Sequence, residues 1–199
     1  MTTTVLLGAA DGIGPALADG IAASRRDADS EIPAGTTGVV LVVGADPVPE
    51  QVAVTETSDA QWLKAVSGTV WRTLAALQRA YAAMTSGGRV VVVVPTIGMA
   101  GAAGLVPYTT AVEGIRAMTK SAARQWRSAG IGVAMVAAPL HIFAPDLEAL
   151  TTHLTAAAVT DDDTLVRSVS EAVTFLLRAD VEHLAGATIV VDGGSVMLP

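Results

Sequence analysis

The first pattern able to do chemistry is Gly8-Ala9-Ala10-Asp11-Gly12-Ile13-Gly14, with the spacing G-x3-G-x-G. Glycines at these intervals let a backbone come close to a phosphate, and the amides at a helix start can hold one. The same glycines also permit tight packing of a helix on a strand, so the loop has two readings: phosphate cradle or backbone contact. Other reactive residues are sparse. There is no cysteine, which excludes a disulfide framework, a thiolate metal site and a Cys nucleophile. His141, His153 and His183 lie far apart without ligand spacing, which argues against zinc. Asp161-Asp162-Asp163 reads as the acidic first turn of a helix rather than a cation site. His141 reads as a solvated loop residue.

The chain has 199 residues, 51% hydrophobic and 16% charged, which predicts one globular domain rather than disorder. A net charge of −7, with no Lys/Arg cluster to offset it, argues against nucleic-acid binding, and 4% aromatics is too few for base-stacking platforms. Apolar runs such as 90–95 are far short of a membrane span. The amino terminus lacks the basic start of a signal peptide. The expectation is a soluble, cytoplasmic protein.

The elements that must position any site follow from hydropathy and turn residues. Residues 5–7 read as a buried strand and 14–26 as an Ala-rich helix with Pro15 in its first turn. Residues 27–37 read as a loop, 39–43 as a second strand and 46–57 as an irregular crossing. A long helix is expected over 59–83, capped by Ser58 and ended by Gly87-Gly88. Strand 89–94, a glycine-rich loop over 98–104, helix 107–129 and strand 133–137 follow. The connection 139–160 is uncertain, 163–178 reads as a helix and 188–191 as the fifth strand. Strands alternating with helices imply right-handed crossovers and a parallel sheet covered on both faces.

With these motifs in place, the sequence resembles the short-chain dehydrogenase/reductase (SDR) family over nearly its whole length. Gly8 to Gly14 is similar to the family's T-G-x3-G-x-G loop, with Leu7 in place of Thr. Residues 90–108 resemble its strand, glycine-spaced loop and catalytic Tyr. Phe175-Leu176-Leu177, Gly186 and Val190-Val191-Asp192-Gly193-Gly194 are similar to the family's ending.

The resemblance implies a NAD(P)-dependent oxidoreductase whose Tyr moves a proton to or from the substrate oxygen. It also implies a Lys four residues later, which lowers the Tyr pKa and binds the nicotinamide ribose, a Ser upstream that holds the substrate oxygen, and an Asn on the preceding helix. Tyr108 matches the Tyr, but the Lys position is Val112. Without that cation a tyrosine stays near its ordinary pKa of about 10 and is a poor base at neutral pH. Arg116 lies on the same helix face but two turns on, roughly 12 Å along the axis. The Ser position is Pro95, with Thr96 adjacent as a substitute hydroxyl if the loop slips. The Asn position, read from Trp62, is Thr69. The family's N-N-A-G becomes Val43-Gly44-Ala45-Asp46. Its Pro-Gly becomes Pro139-Leu140, without the Thr that normally holds the carboxamide.

In the family, a strand–helix–strand–helix stretch separates the first helix from the strand before N-N-A-G. Here 27–37 alone separates them, so about forty residues are missing, including the second strand whose end binds the adenosine ribose or its 2′-phosphate. With the family order 3-2-1-4-5-6-7, the expectation is an α/β, Rossmann-like, doubly wound parallel sheet shortened to about five strands. Strand 5–7 would form an exposed edge. On this reading Gly8, Gly12 and Gly14 are a vestigial cradle, and residues 1–199 form a single truncated SDR-like domain.

Trp62, Trp71 and Trp126 lie on the two long helices, with Arg72, Arg79, Arg116, Arg124 and Arg127. They read either as core packing or, because the resemblance implies a four-helix interface there, as an interface of Trp62, Trp71, Arg72, Arg116 and Trp126. Together these features lead to the expectation of a non-catalytic SDR-fold subunit without a cofactor. It would assemble through these helices with an active SDR subunit, or with itself as a dimer or tetramer, and bind neither nucleic acid nor membrane. Two alternatives stand beside it. One is a NAD(P)-dependent oxidoreductase of a hydroxyl/keto substrate with Tyr108 as acid/base. The other is a cofactor-independent enzyme using the vacated pocket.

Overall fold

Apolar side chains alternate between the two faces of each central strand, which requires cover on both sides of the sheet. The computed structural model describes residues 3–8, 12–44, 50–85, 87–144 and 162–196. It contains a six-stranded sheet, β1 (Thr4–Leu7), β2 (Ser24–Arg26), β3 (Gly38–Val42), β4 (Gly88–Pro95), β5 (Ile131–Ala138) and β6 (Thr188–Val190). The order is β2-β1-β3-β4-β5-β6 and each neighbouring pair is parallel.

The helices are α1 (Ile13–Gly20), α2 (Asp59–Trp62), α3 (Thr69–Ala83), α4 (Ile97–Ala100), α5 (Val106–Gln125) and α6 (Asp162–Leu176). Leu63–Gly68 winds as a π-helix between α2 and α3, so the three segments run on as one rod. Ser58 opens that rod with a capping box. Its hydroxyl accepts the Gln61 amide at 3.3 Å, and the Gln61 side chain accepts the Ser58 amide at 3.0 Å.

Two apolar layers flank the sheet. On one face Leu77 and Ala80 of α3 and Tyr108, Val112 and Ile115 of α5 pack on Val39, Leu41, Val92 and Met135. On the other, Leu17 of α1 and Leu165, Val169 and Val173 of α6 pack on Val40, Val91, Val93 and Val136. Among the described residues no helix is long and apolar enough to cross a membrane.

The sheet corrects the expectation of five strands. The helix read over 14–26 stops at Gly20, and Ala22 turns the chain at φ 51. Ser24–Arg26 then pairs with Val5–Leu7, so β1 is an interior strand and β2 is the edge. All three β2 residues are exposed, so no apolar alternation marks them. Backbone pairing with β1 makes the strand. Smaller corrections fall at α4, inside the expected 98–104 loop, and at α5, which ends at Gln125 before a 3-10 turn, Arg127–Ala129. The connection after β5 begins with a 3-10 turn, Leu140–Ile142. Residues 145–161, the segment 45–49 and loop residues 9–11 lie outside the described residues, with the expectations made on His153, Asp161, Ala45 and Asp46.

Candidate functional site

The chain leaves β1 for β2 on one side and later returns to place β3 on the other. The carboxyl ends of β1 and β3 therefore mark a reversal in strand order, where open parallel sheets bind ligands. Gly8 follows β1 and Gly44 lies just past β3. The described backbone here is packed closely against itself. Gly8 has φ +91, and a Cβ on it would stand 2.7 Å from the Val42 carbonyl oxygen. Gly12 has φ +61, and a Cβ there would meet the Ile142 and Phe143 carbonyl oxygens, each at 2.9 Å. Gly14 is buried in the first turn of α1. Of the two readings of the loop, backbone contact fits Gly8 and Gly12. The Ile142 and Phe143 carbonyl oxygens stand where a Cβ on Gly12 would project, so a larger residue here would press on the backbone after β5.

Tyr108 projects from the first turn of α5 into this region and is 5% exposed. Its hydroxyl donates to the Gly44 carbonyl at 2.7 Å. Gly44 has φ +108, and a Cβ on it would stand 2.7 Å from Pro95 Cγ and 2.8 Å from the Tyr108 oxygen. Tyr108, Gly44 and Pro95 thus interlock. Burial pushes the Tyr108 phenol up from its ordinary value, because the phenolate would lose its hydration. One turn on, Val112 is 1% exposed and packs on Gly98, where a Cβ would stand 2.7 Å from Val112 Cγ1. Hydrocarbon fills the expected Lys position. The Tyr108 shift runs opposite to the one a proton-accepting tyrosine needs.

The other expected positions supply no substitute. Pro95 ends β4 in register with Ala138. Thr96 is 2% exposed and its amide donates to the Ala138 carbonyl at 2.8 Å. Thr69 opens α3, and its carbonyl accepts the Thr73 hydroxyl at 2.9 Å. Neither threonine hydroxyl partners Tyr108, whose hydrogen bond goes to Gly44. Arg116 is held by both oxygens of Glu113, at 2.8 and 2.6 Å, and its Nε is buried without a partner. His141 lies on the turn after β5.

Two features lay beyond the sequence reading. Gly44 as the partner of Tyr108 is one, signalled only by a glycine directly after a buried strand. The other is the basic end of β2. The Gly8 amide donates to the Arg26 carbonyl at 3.2 Å, which brings Arg25 and Arg26 beside the glycine loop. On the long helices, Trp62 and Trp71 are 40% and 68% exposed, whereas Trp126 is half-buried with its ring centroid 5.2 Å from that of Tyr81. Arg72 is half-buried.

Comparison with known proteins identifies the fold and the family. A family model described as enoyl-(acyl carrier protein) reductase matches residues 22–196. An uncharacterised short-chain type dehydrogenase/reductase of Sinorhizobium fredii is 30% identical over 122 residues, which are 56% of this chain and 21% of that longer protein. The crystal structure of the TT0495 protein from Thermus thermophilus superposes with a TM-score of 0.73 at 18% identity, covering 98% of both chains. That of levodione reductase superposes with a TM-score of 0.76 at 17% identity, covering 97% of this chain and 96% of the other. The two structures share the fold, and the family model covers most of the sequence. This chain belongs to the short-chain dehydrogenase/reductase family.

Proposed function

We propose that this chain is a non-catalytic SDR-fold subunit that assembles with an active SDR dehydrogenase or reductase through α3 and α5. One observation carries the reading. The tyrosine that matches the family's acid/base is buried, donates its proton to the Gly44 carbonyl, and has Val112 where a lysine would stand. A general acid or base must reach the proton it transfers, and this hydroxyl is committed to the backbone. The same burial weighs against cofactor-independent chemistry at Tyr108. We read the 27–37 connection between β2 and β3, which contains no strand or helix, as a truncation on the adenosine side of the fold. Absence of cysteine suits a cytoplasmic setting.

A second reading has its own observation. β2 is present, and its Arg25-Arg26 end lies beside Gly8, where an arginine suits a 2′-phosphate in this architecture. It makes the chain an NADP-dependent oxidoreductase of hydroxyl/keto compounds. The two separate in one experiment: assay the isolated chain with NAD(P)H or NAD(P)+ against a panel of ketones and secondary alcohols, then repeat with a co-expressed SDR enzyme. The first reading expects no turnover alone and a change in stability or rate of the co-expressed enzyme. Turnover alone that is abolished in both Tyr108→Phe and Arg26→Ala establishes the second.

A further inference from the structure

We propose that residues 27–37 are a strap that closes the β1 flank of the sheet from within, so that no partner chain completes the fold there. The inference goes beyond the assembly reading and stands whether or not the chain binds a nucleotide. Both faces of a buried parallel sheet need cover. On the face carrying the long helices, α3 packs over β3, and α5 over β4 and β5. β1 lies one strand further out, yet Val5 and Leu7 on that face are 0% and 2% exposed. Cover there comes from the connection between β2 and β3. Within 27–37 the one large apolar side chain is Ile32. It is 7% exposed and joins the apolar cluster that contains Val5 and Leu7 together with Ala76, Ala80 and Ala83 of α3.

Hydrogen bonds fasten the strap along its length. Near its start, Arg79 of α3 donates from Nη2 to the Ala28 carbonyl at 2.5 Å. Past Ile32, the Gly35 amide donates to the Ala83 carbonyl at 2.9 Å and so takes up one of the carbonyls left open at the end of α3. At its end, the Thr37 and Gly38 amides both donate to the Thr3 carbonyl at 3.2 Å. Thr36 is 1% exposed and donates its hydroxyl to the Pro33 carbonyl at 2.7 Å. Loops ordinarily ride on the surface. This one carries two buried side chains and is tied both to a helix and to the residue before β1. The strand edge beside it is small. The Gly8 amide bonds the Arg26 carbonyl, so in the alternating parallel ladder Ser24 and Arg26 face β1, and Arg25 alone turns its backbone outward. A three-residue edge with two arginines is a poor template for another strand. The apolar face and the strand edge are thus both protected inside the chain, and any assembly uses another surface.

Hydrogen exchange of the isolated full chain tests this. The Gly35 and Thr37 amides report on the strap, and the amides of β4 and β5 report on the whole fold. In the wild type, both strap reporters exchange more slowly than in an unstructured chain by about a hundredfold or more. Ile32→Asp puts a carboxylate into the apolar cluster. It speeds exchange at both reporters by about tenfold or more, leaves the β4 and β5 amides slow, and uncovers apolar surface that binds the dye ANS. If Ile32→Asp does not fold, Ile32→Ala serves with the same readouts. Three results overturn the proposal: wild-type reporters that exchange at the unstructured rate, Ile32 variants whose strap exchange stays at the wild-type rate, or Ile32→Ala exchange that rises equally in the strap, β4 and β5. Binding of NADH or NADPH by the isolated chain would overturn the assembly reading and leave each of these exchange results as it is.

Discussion

The Tyr108 hydroxyl and the Gly44 carbonyl lie 2.7 Å apart, so the tyrosine that the family pattern retains is tied to the backbone just past β3. Replacing Tyr108 with Phe removes one buried hydrogen bond and leaves the Gly44 carbonyl unpaired. Such a loss costs about 1–3 kcal/mol. Denaturant unfolding of Tyr108→Phe checks this. The expected outcome is a lower midpoint with an unchanged slope.

The same burial has a signature in pH. The folded pKa of Tyr108 lies above the unfolded value of about 10, so its contribution to stability is complete below that pH. It is lost as pH rises through the folded pKa, because the unfolded chain releases the proton first. In a Tyr81→Phe background, where Tyr108 is the remaining tyrosine, phenolate absorbance should stay flat on raising the pH until the chain unfolds. A smooth titration of the folded protein near pH 10 contradicts the buried geometry.

Gly44 is held at φ +108 with Pro95 and Tyr108 where a Cβ would project. Gly44→Ala is expected to destabilise by about 1–3 kcal/mol from backbone strain, with overlap against the proline ring added. Pairing it with Tyr108→Phe should not rescue it, because Pro95 Cγ remains 2.7 Å from the new methyl position. A thermal unfolding series of the single and double variants reads this directly.

Restoring the family's cation is expected to fail. Val112→Lys puts an ammonium at a 1% exposed position packed against Gly98, where the adjacent Glu113 carboxylate already holds Arg116. Burying an unpaired charge costs several kcal/mol, and lysines so placed lose their proton instead. The expected variant is strongly destabilised and gains no oxidoreductase activity. A stable Val112→Lys protein that turns over a ketone would show that the Gly44 hydrogen bond breaks readily.

Much of the fold was legible because its strands are marked by β-branched apolar runs. The run at 90–94 and the apolar run of β3 have no other solution than a buried strand. β2 was not legible, since Ser24-Arg25-Arg26 becomes a strand only through backbone pairing with β1. The 14–26 reading extended a helix through Ala22, which in fact turns the chain at positive φ. At the site, Val112 and Pro95 could be placed because the family resemblance supplies the pattern from which they depart. Gly44 could not, because its contact with Tyr108 joins residues 64 positions apart and depends on how α5 packs across β4 and β5. Trp126 followed the same pattern: the sequence places it on a helix, and Tyr81 determines which way it faces.

Calorimetric titration of the isolated chain with NADH and NADPH asks whether this site still takes a nucleotide. A Tyr108 hydroxyl tied to the Gly44 carbonyl, with Val112 in place of the lysine, predicts no heat of binding for either nucleotide at micromolar concentration. Micromolar binding of NADPH that Arg26→Ala weakens would contradict the account and make the chain a cofactor-binding member of its family.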